Sequence, residues 1–113
     1  MKKYKGKLSE IEIESESDVL GENWETVNLK KLKRIFEFET FMDAINFIGK
    51  IAQISETINH HPDITIFYNK VIIEISTHKI RGLTKLDFVL AKRIENDFKR
   101  QTGGRKSTGR KIK

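Results

Sequence analysis

An α+β fold is predicted by three features of the chain: four short runs with strand-like composition, two long stretches with helical spacing, and their order. That order reads β-β-α-β-β-α, preceded by a segment compatible with a further helix. A four-stranded antiparallel sheet with two or three helices packed on one face is the simplest way to bury the apolar side of each element. A chain of 113 residues supplies one core and is too short for two sizeable ones. The expected organisation is a single domain over residues 1–98 and a basic tail over 99–113.

The elements are justified in turn. In "LSEIEIESE", Ser9 and Glu12 have capping-box spacing, while Ile11 and Ile13 alternate as in a strand; a short helix is the preferred reading. "NWETV" and "LKRIFEF" have the β-branched and aromatic content of strands, with Phe36 and Phe38 on one face and Ile35 and Glu37 on the other. From Thr40 the period changes: Thr40 and Asp43 form a capping-box signature, and Phe41, Ala44, Ile45, Ile48, Ile51, Ala52 and Ile58 recur on one side of a helix. This helix should end near Asn59, which tolerates a left-handed cap, because Pro62 cannot continue it. "DITIFY" and "VIIEISTH" follow as a hairpin around Asn69 and Lys70, with Ile72, Glu74, Ser76 and His78 on its more polar face. After a Gly82 turn, Thr84 and Asp87 mark another capping box, Leu83 and Phe88 have staple spacing, and Leu90, Ala91, Ile94 and Phe98 form the core stripe.

The charge of +6 is unevenly placed. Residues 99–113 hold seven Lys or Arg and no acid, so residues 1–98 carry 15 bases against 16 acids. A near-neutral body with a basic, disordered tail gives nucleic acid only a weak hold, through that tail. With no cysteine, disulfides, thiolate nucleophiles and cysteine-ligated zinc are excluded. No apolar run reaches membrane-spanning length and no signal peptide is evident, so a cytoplasmic protein is expected.

All three histidines lie within residues 56–79: His60 and His61 before the only proline, and His78 after the hairpin. Imidazole gives and takes protons near neutral pH, and several around one pocket can protonate a leaving group while another removes a proton, as dehydration requires. Three plainer readings stay open on spacing alone. His60 and His61 can serve as helix C-terminal caps. The trio can be matched to zinc ligation, although no further ligand has a characteristic spacing. Asp87 is explained fully as an N3 cap.

The run Glu56, His60-His61-Pro62, Tyr68, His78 and Asp87, at these spacings, resembles the signature of the pterin-4a-carbinolamine dehydratase family. The resemblance extends from about Trp24 to Phe98. It implies a small subunit that assembles into homodimers or homotetramers. It also implies a reaction that removes water from a 4a-hydroxytetrahydropterin with neither metal nor organic cofactor. His60 and His78 would act as acids at the 4a-hydroxyl, His61 would bind the pterin and handle the N5 proton, and Asp87 would orient one of the imidazoles. Glu56, Pro62, Ser76, Thr77 and Lys79 would complete the substrate site.

Family members usually carry an acid where Lys79 stands and a small residue, often Gly, where Arg81 stands. The added charge predicts weaker general-acid function at His78 if Lys79 points inward, or an anionic group on the substrate. A non-catalytic interaction module is the rival function, since the family includes a dimerisation cofactor of a homeodomain transcription factor.

Overall fold

The structure, a computed structural model, describes residues 6–103. Its elements run α1 (Glu10–Leu20), β1 (Glu25–Val27), β2 (Lys31–Glu37), α2 (Phe41–Ile58), β3 (Asp63–Phe67), β4 (Lys70–Ile75), a 3-10 turn (His78–Ile80) and α3 (Lys85–Gln101). The strands form one antiparallel sheet with the three helices on one face, as expected, and the order within the sheet is β1-β2-β4-β3. The inward side chains of the two central strands are Leu32, Arg34 and Phe36 on β2, and Val71, Ile73 and Ile75 on β4. Phe36, Phe38, Phe47 and Phe98 join sheet to helices, their ring centroids 4.8 to 5.8 Å apart.

The N-terminal helix forms with a complete capping box: Glu12 N–H donates to Ser9 Oγ at 3.2 Å, and Ser9 N–H donates to Glu12 Oε1 at 2.8 Å. Thr40 caps α2 by accepting from Asp43 N–H at 3.0 Å, and Asn59 ends that helix in the left-handed conformation at φ 61°.

Four expectations change. The inward stripe of α2 is Ala44, Phe47, Ile51 and Ser55, while Phe41, Ile45 and Ala52 are exposed. This helix is apolar around much of its circumference, so periodicity left its rotation open until Phe47 joined the aromatic cluster. The hairpin turn is Tyr68-Asn69, one residue earlier than expected. Tyr68 takes φ 51° while Asn69 is tied to Phe38 by two bonds, Nδ2 to the carbonyl at 2.7 Å and Phe38 N–H to the Asn69 carbonyl at 2.9 Å. β4 ends at Ile75, so His78 opens a 3-10 turn and is not on a strand. Pairing of β4 with β3 and β2 starts at Asp63↔Glu74 and Leu32↔Ile75, so beyond Ile75 the chain has no strand partner and makes only the isolated bridge of Thr77 to Gly82. Finally, α3 runs to Gln101, past the Phe98 boundary, with Lys99 and Arg100 complementing the negative end of its dipole. Residues 104–113, most of the expected tail, lie outside the described residues.

Candidate active site

Asp87 is the point where three segments meet. It is fully buried in the first turn of α3, where its Oδ2 accepts from Thr84 N–H at 2.8 Å and from Thr77 Oγ1 at 2.7 Å. Its other oxygen lies 2.6 Å from His60 Nε2. One carboxylate therefore joins the exit of α2, the end of β4 and the start of α3. A carboxylate only accepts, so His60 Nε2 carries the hydrogen and the free nitrogen of the neutral ring is Nδ1. The side chain of His60 keeps 15% of its surface exposed, enough for a ligand to reach it. Its backbone is held too: His60 N–H donates to the Ser55 carbonyl at 3.1 Å, a bond typical of a helix that ends in a left-handed residue.

His61 faces outward. Its Nε2 is 2.7 Å from Glu56 Oε2, and both side chains are more than half exposed. Glu56, one turn before the helix exit, thus fixes the second imidazole as Asp87 fixes the first.

His78 belongs to a cavity of about 310 Å³ on the open side of the sheet, within the size range of small-ligand sites. Ser76 lines it, and so does Asp63, next in the chain after Pro62. Three cations, Lys30, Lys31 and Arg81, share the lining with the carboxylates of Asp63 and Glu74. Thr77, between Ser76 and His78, bonds both Asp87 and the Gly82 carbonyl, the latter through its N–H at 3.0 Å. The loop bearing His78 is thereby closed onto itself and tied to the His60 node. Lys7 lies over Gly82: a Cβ there would come within 2.7 Å of Lys7 Cε, the far end of a flexible side chain that can move aside. The N-terminal segment is pinned over this loop by Leu8 N–H donating to the Leu83 carbonyl at 2.8 Å.

The structure thus brings together His60, Thr77 and Asp87, pairs His61 with Glu56, and sets Ser76 and His78 in one cavity. Arg81 lines that cavity with His78, whereas Lys79 is exposed and absent from the lining. Sequence reasoning missed Asp63 and Lys30. Adjacency to Pro62 could have flagged Asp63, but nothing in the sequence links the turn before β2 to the loop after β4. Among the described residues, no three His, Asp or Glu converge as ligands for a metal, and no helix is long and apolar enough to cross a membrane.

Residues 6–96 match the family described as pterin 4 alpha carbinolamine dehydratase. The match begins well before Trp24, so α1 lies within the resemblance and extends it. A Sulfolobus acidocaldarius protein named "Putative pterin-4-alpha-carbinolamine dehydratase" is 42% identical over 88 residues, covering 78% of this chain and 94% of its own. The crystal structure of a transcriptional coactivator/pterin dehydratase from Brucella melitensis superposes with a TM-score of 0.75 at 29% identity, covering 80% of this chain and 97% of that one. A pterin dehydratase-like protein identified as a RuBisCO assembly factor in the alpha-carboxysome shares the fold, with a TM-score of 0.57 at 20% identity over 68% of this chain and 90% of its own.

Proposed function

The chain belongs to the pterin-4-alpha-carbinolamine dehydratase family, and from that premise we propose that it converts a 4a-hydroxytetrahydropterin to the quinonoid dihydropterin and water, in tetrahydropterin recycling. The observation that carries the reading is the bond between His60 and the buried Asp87. A structural cap for α3 needs only the Thr84 contacts of Asp87; it does not need an imidazole on the other oxygen.

The chemistry requires one proton delivered and one removed. As the C4a–O bond breaks, the hydroxyl takes a proton and departs as water. The N5–H proton goes to a base, and the N5 electron pair forms the C4a=N5 bond. Imidazoles suit both steps. In this reading His60 and His78 act at the departing hydroxyl, and Asp87 is a positioning residue that holds the tautomer of His60. His61 binds the pterin and receives the N5 proton, with the Glu56 carboxylate compensating the charge the ring gains. Ser76, Thr77 and Pro62 shape the walls. Lys79 is left outside this assignment by its position.

The test is stopped-flow decay of a freshly generated 4a-hydroxytetrahydropterin. Wild type should accelerate it, and His60→Ala and His78→Ala should each lose about 10²-fold or more while keeping the native circular dichroism. Wild type that does no better than buffer sinks the reading.

A second reading, a protein-interaction module on the same scaffold, is favoured by an apolar surface at the start of α2, where Phe41 and Met42 are 47% and 59% exposed. The same surface, with the unpaired edge of β3, supports assembly into homodimers or homotetramers.

A further inference from the structure

The cavity beside His78 is asymmetric in charge. It crosses three strands, with Asp63 on the β3 side and Lys30 and Lys31 on the β2 side. Lys31 is engaged by Glu74 at 3.6 Å. Lys30 and Arg81 form no ion pair among the described residues, although both line the cavity. Neither cation is placed there by a need of the backbone. Arg81 holds φ 52°, a left-handed conformation that costs a non-glycine residue about 1–2 kcal/mol. Lys30 follows a turn of two left-handed residues, Asn28 and Leu29, whose closing bond uses only its N–H, donated to the Val27 carbonyl at 2.9 Å.

We infer that this cavity selects a pterin whose side chain carries an anionic group, a phosphate ester or a carboxylate, held between Lys30 and Arg81. The inference rests on the dehydratase reading and narrows its substrate class. Asp63 then serves the opposite end of the ligand, as an acceptor for the N–H donors of the aminopyrimidinone ring. An anion between an ammonium and a guanidinium gains charge-assisted hydrogen bonds, which a neutral polyol side chain cannot form to the same strength. Two cations from separate turns also fix the direction in which the ligand lies, with its ring toward β3 and its side chain toward β2.

The experiment compares equilibrium binding of three stable probes to the full chain: 7,8-dihydroneopterin, which is neutral, its 3′-phosphate ester, and dihydrofolate, which carries glutamate carboxylates. At least one anionic probe should bind about tenfold or more tighter than the neutral one. The tighter of the two tells phosphate from carboxylate. That preference should shrink with added salt and approach one in Arg81→Asn, chosen because Asn accepts the left-handed backbone, and in Lys30→Gln on its separate turn. Equal binding of neutral and anionic pterins, or a preference that survives both substitutions, overturns the inference and leaves the dehydratase reading standing. Binding of none of the three overturns the inference as well, and the stopped-flow decay then decides the dehydratase reading separately.

Discussion

Arg34 is a cation on the inward face of β2, where the alternation of Leu32, Phe36 and Phe38 would lead one to expect an apolar side chain. It is compensated fully: Nε and Nη2 donate to the two oxygens of Glu95 at 2.8 and 3.1 Å, and Trp24 Nε1 donates to the same carboxylate at 2.8 Å. Its guanidinium also lies 4.1 Å from the centre of the Phe36 ring. Breaking such a pair leaves an uncompensated buried charge, so Arg34→Met should destabilise by about 3–5 kcal/mol. Removing both charges in Arg34→Met/Glu95→Leu should recover much of that loss. Urea unfolding midpoints of the two singles and the double would decide it, and simple additivity would show that the charges do not act as a pair. Asp87 follows the opposite logic. Its partners are two hydroxyls, a backbone amide and an imidazole, so its burial is satisfied without a permanent cation, and the one partner able to change charge is His60.

Among the elements, α1 depends most on its own sequence. It packs against α3 but buries only Ile13, and Ile11 and Val19 stay exposed, so its capping box carries much of its definition. Hydrogen bonds from the Ser9 backbone N–H, and then from the Ser9 hydroxyl, hold Glu12 below its ordinary carboxylate range. Because the folded value is the depressed one, this contribution is present above the unfolded value and is lost as pH falls through the folded one. NMR titration should show Glu12 protonating at lower pH than a free glutamate, with the Ser9 amide shift following the same midpoint. In Ser9→Ala, which keeps the backbone amide, the downward shift should diminish by the hydroxyl's share, and an unchanged Glu12 titration there would show that the hydroxyl adds nothing to it. The α2 helix shows the converse. Its ends are fixed locally by Thr40 and Asn59, while its rotation is fixed by Phe47 entering the aromatic cluster. Its exit therefore delivers His60 and His61 at a defined place, and only the tertiary contacts decide that His60 turns inward and His61 outward.

At the scale of the whole molecule, two apolar surfaces stand out among the described residues. Phe41, Met42 and Ile45 lie together at the start of α2, and Ile64, Phe67 and Tyr68 follow the unpaired edge of β3. Exposed apolar patches and open strand edges mark association surfaces. Light scattering after size exclusion should give a small multiple of the 13.2 kDa subunit mass. Phe41→Glu/Met42→Glu should shift the distribution toward smaller species without loss of the folded spectrum. A monomeric wild type would remove the proposal. The cavity with His78 opens on the side of the sheet away from the helices, so association through α2 leaves it accessible.

The sequence by itself determined the order of the four strands and the two long helices, the capping boxes of α1 and α3, the left-handed end of α2 and the α3 stripe, while it left α1 open between helix and strand. These depend on side chains within three or four residues of each other, or on a periodicity that survives without partners. It marked His60, His61, His78 and Asp87 as a set only through the family signature they resemble, since their spacing alone left the plainer structural readings open. Only the tertiary structure decided that Asp87 holds His60 and not another imidazole, that β4 stops before His78, and that Arg81 and Lys30 face one cavity while Lys79 does not. Each of these is a contact between segments far apart in the chain, where the outcome depends on which strand runs out of neighbours and which helix face wins the core. Local propensity carries no information about either.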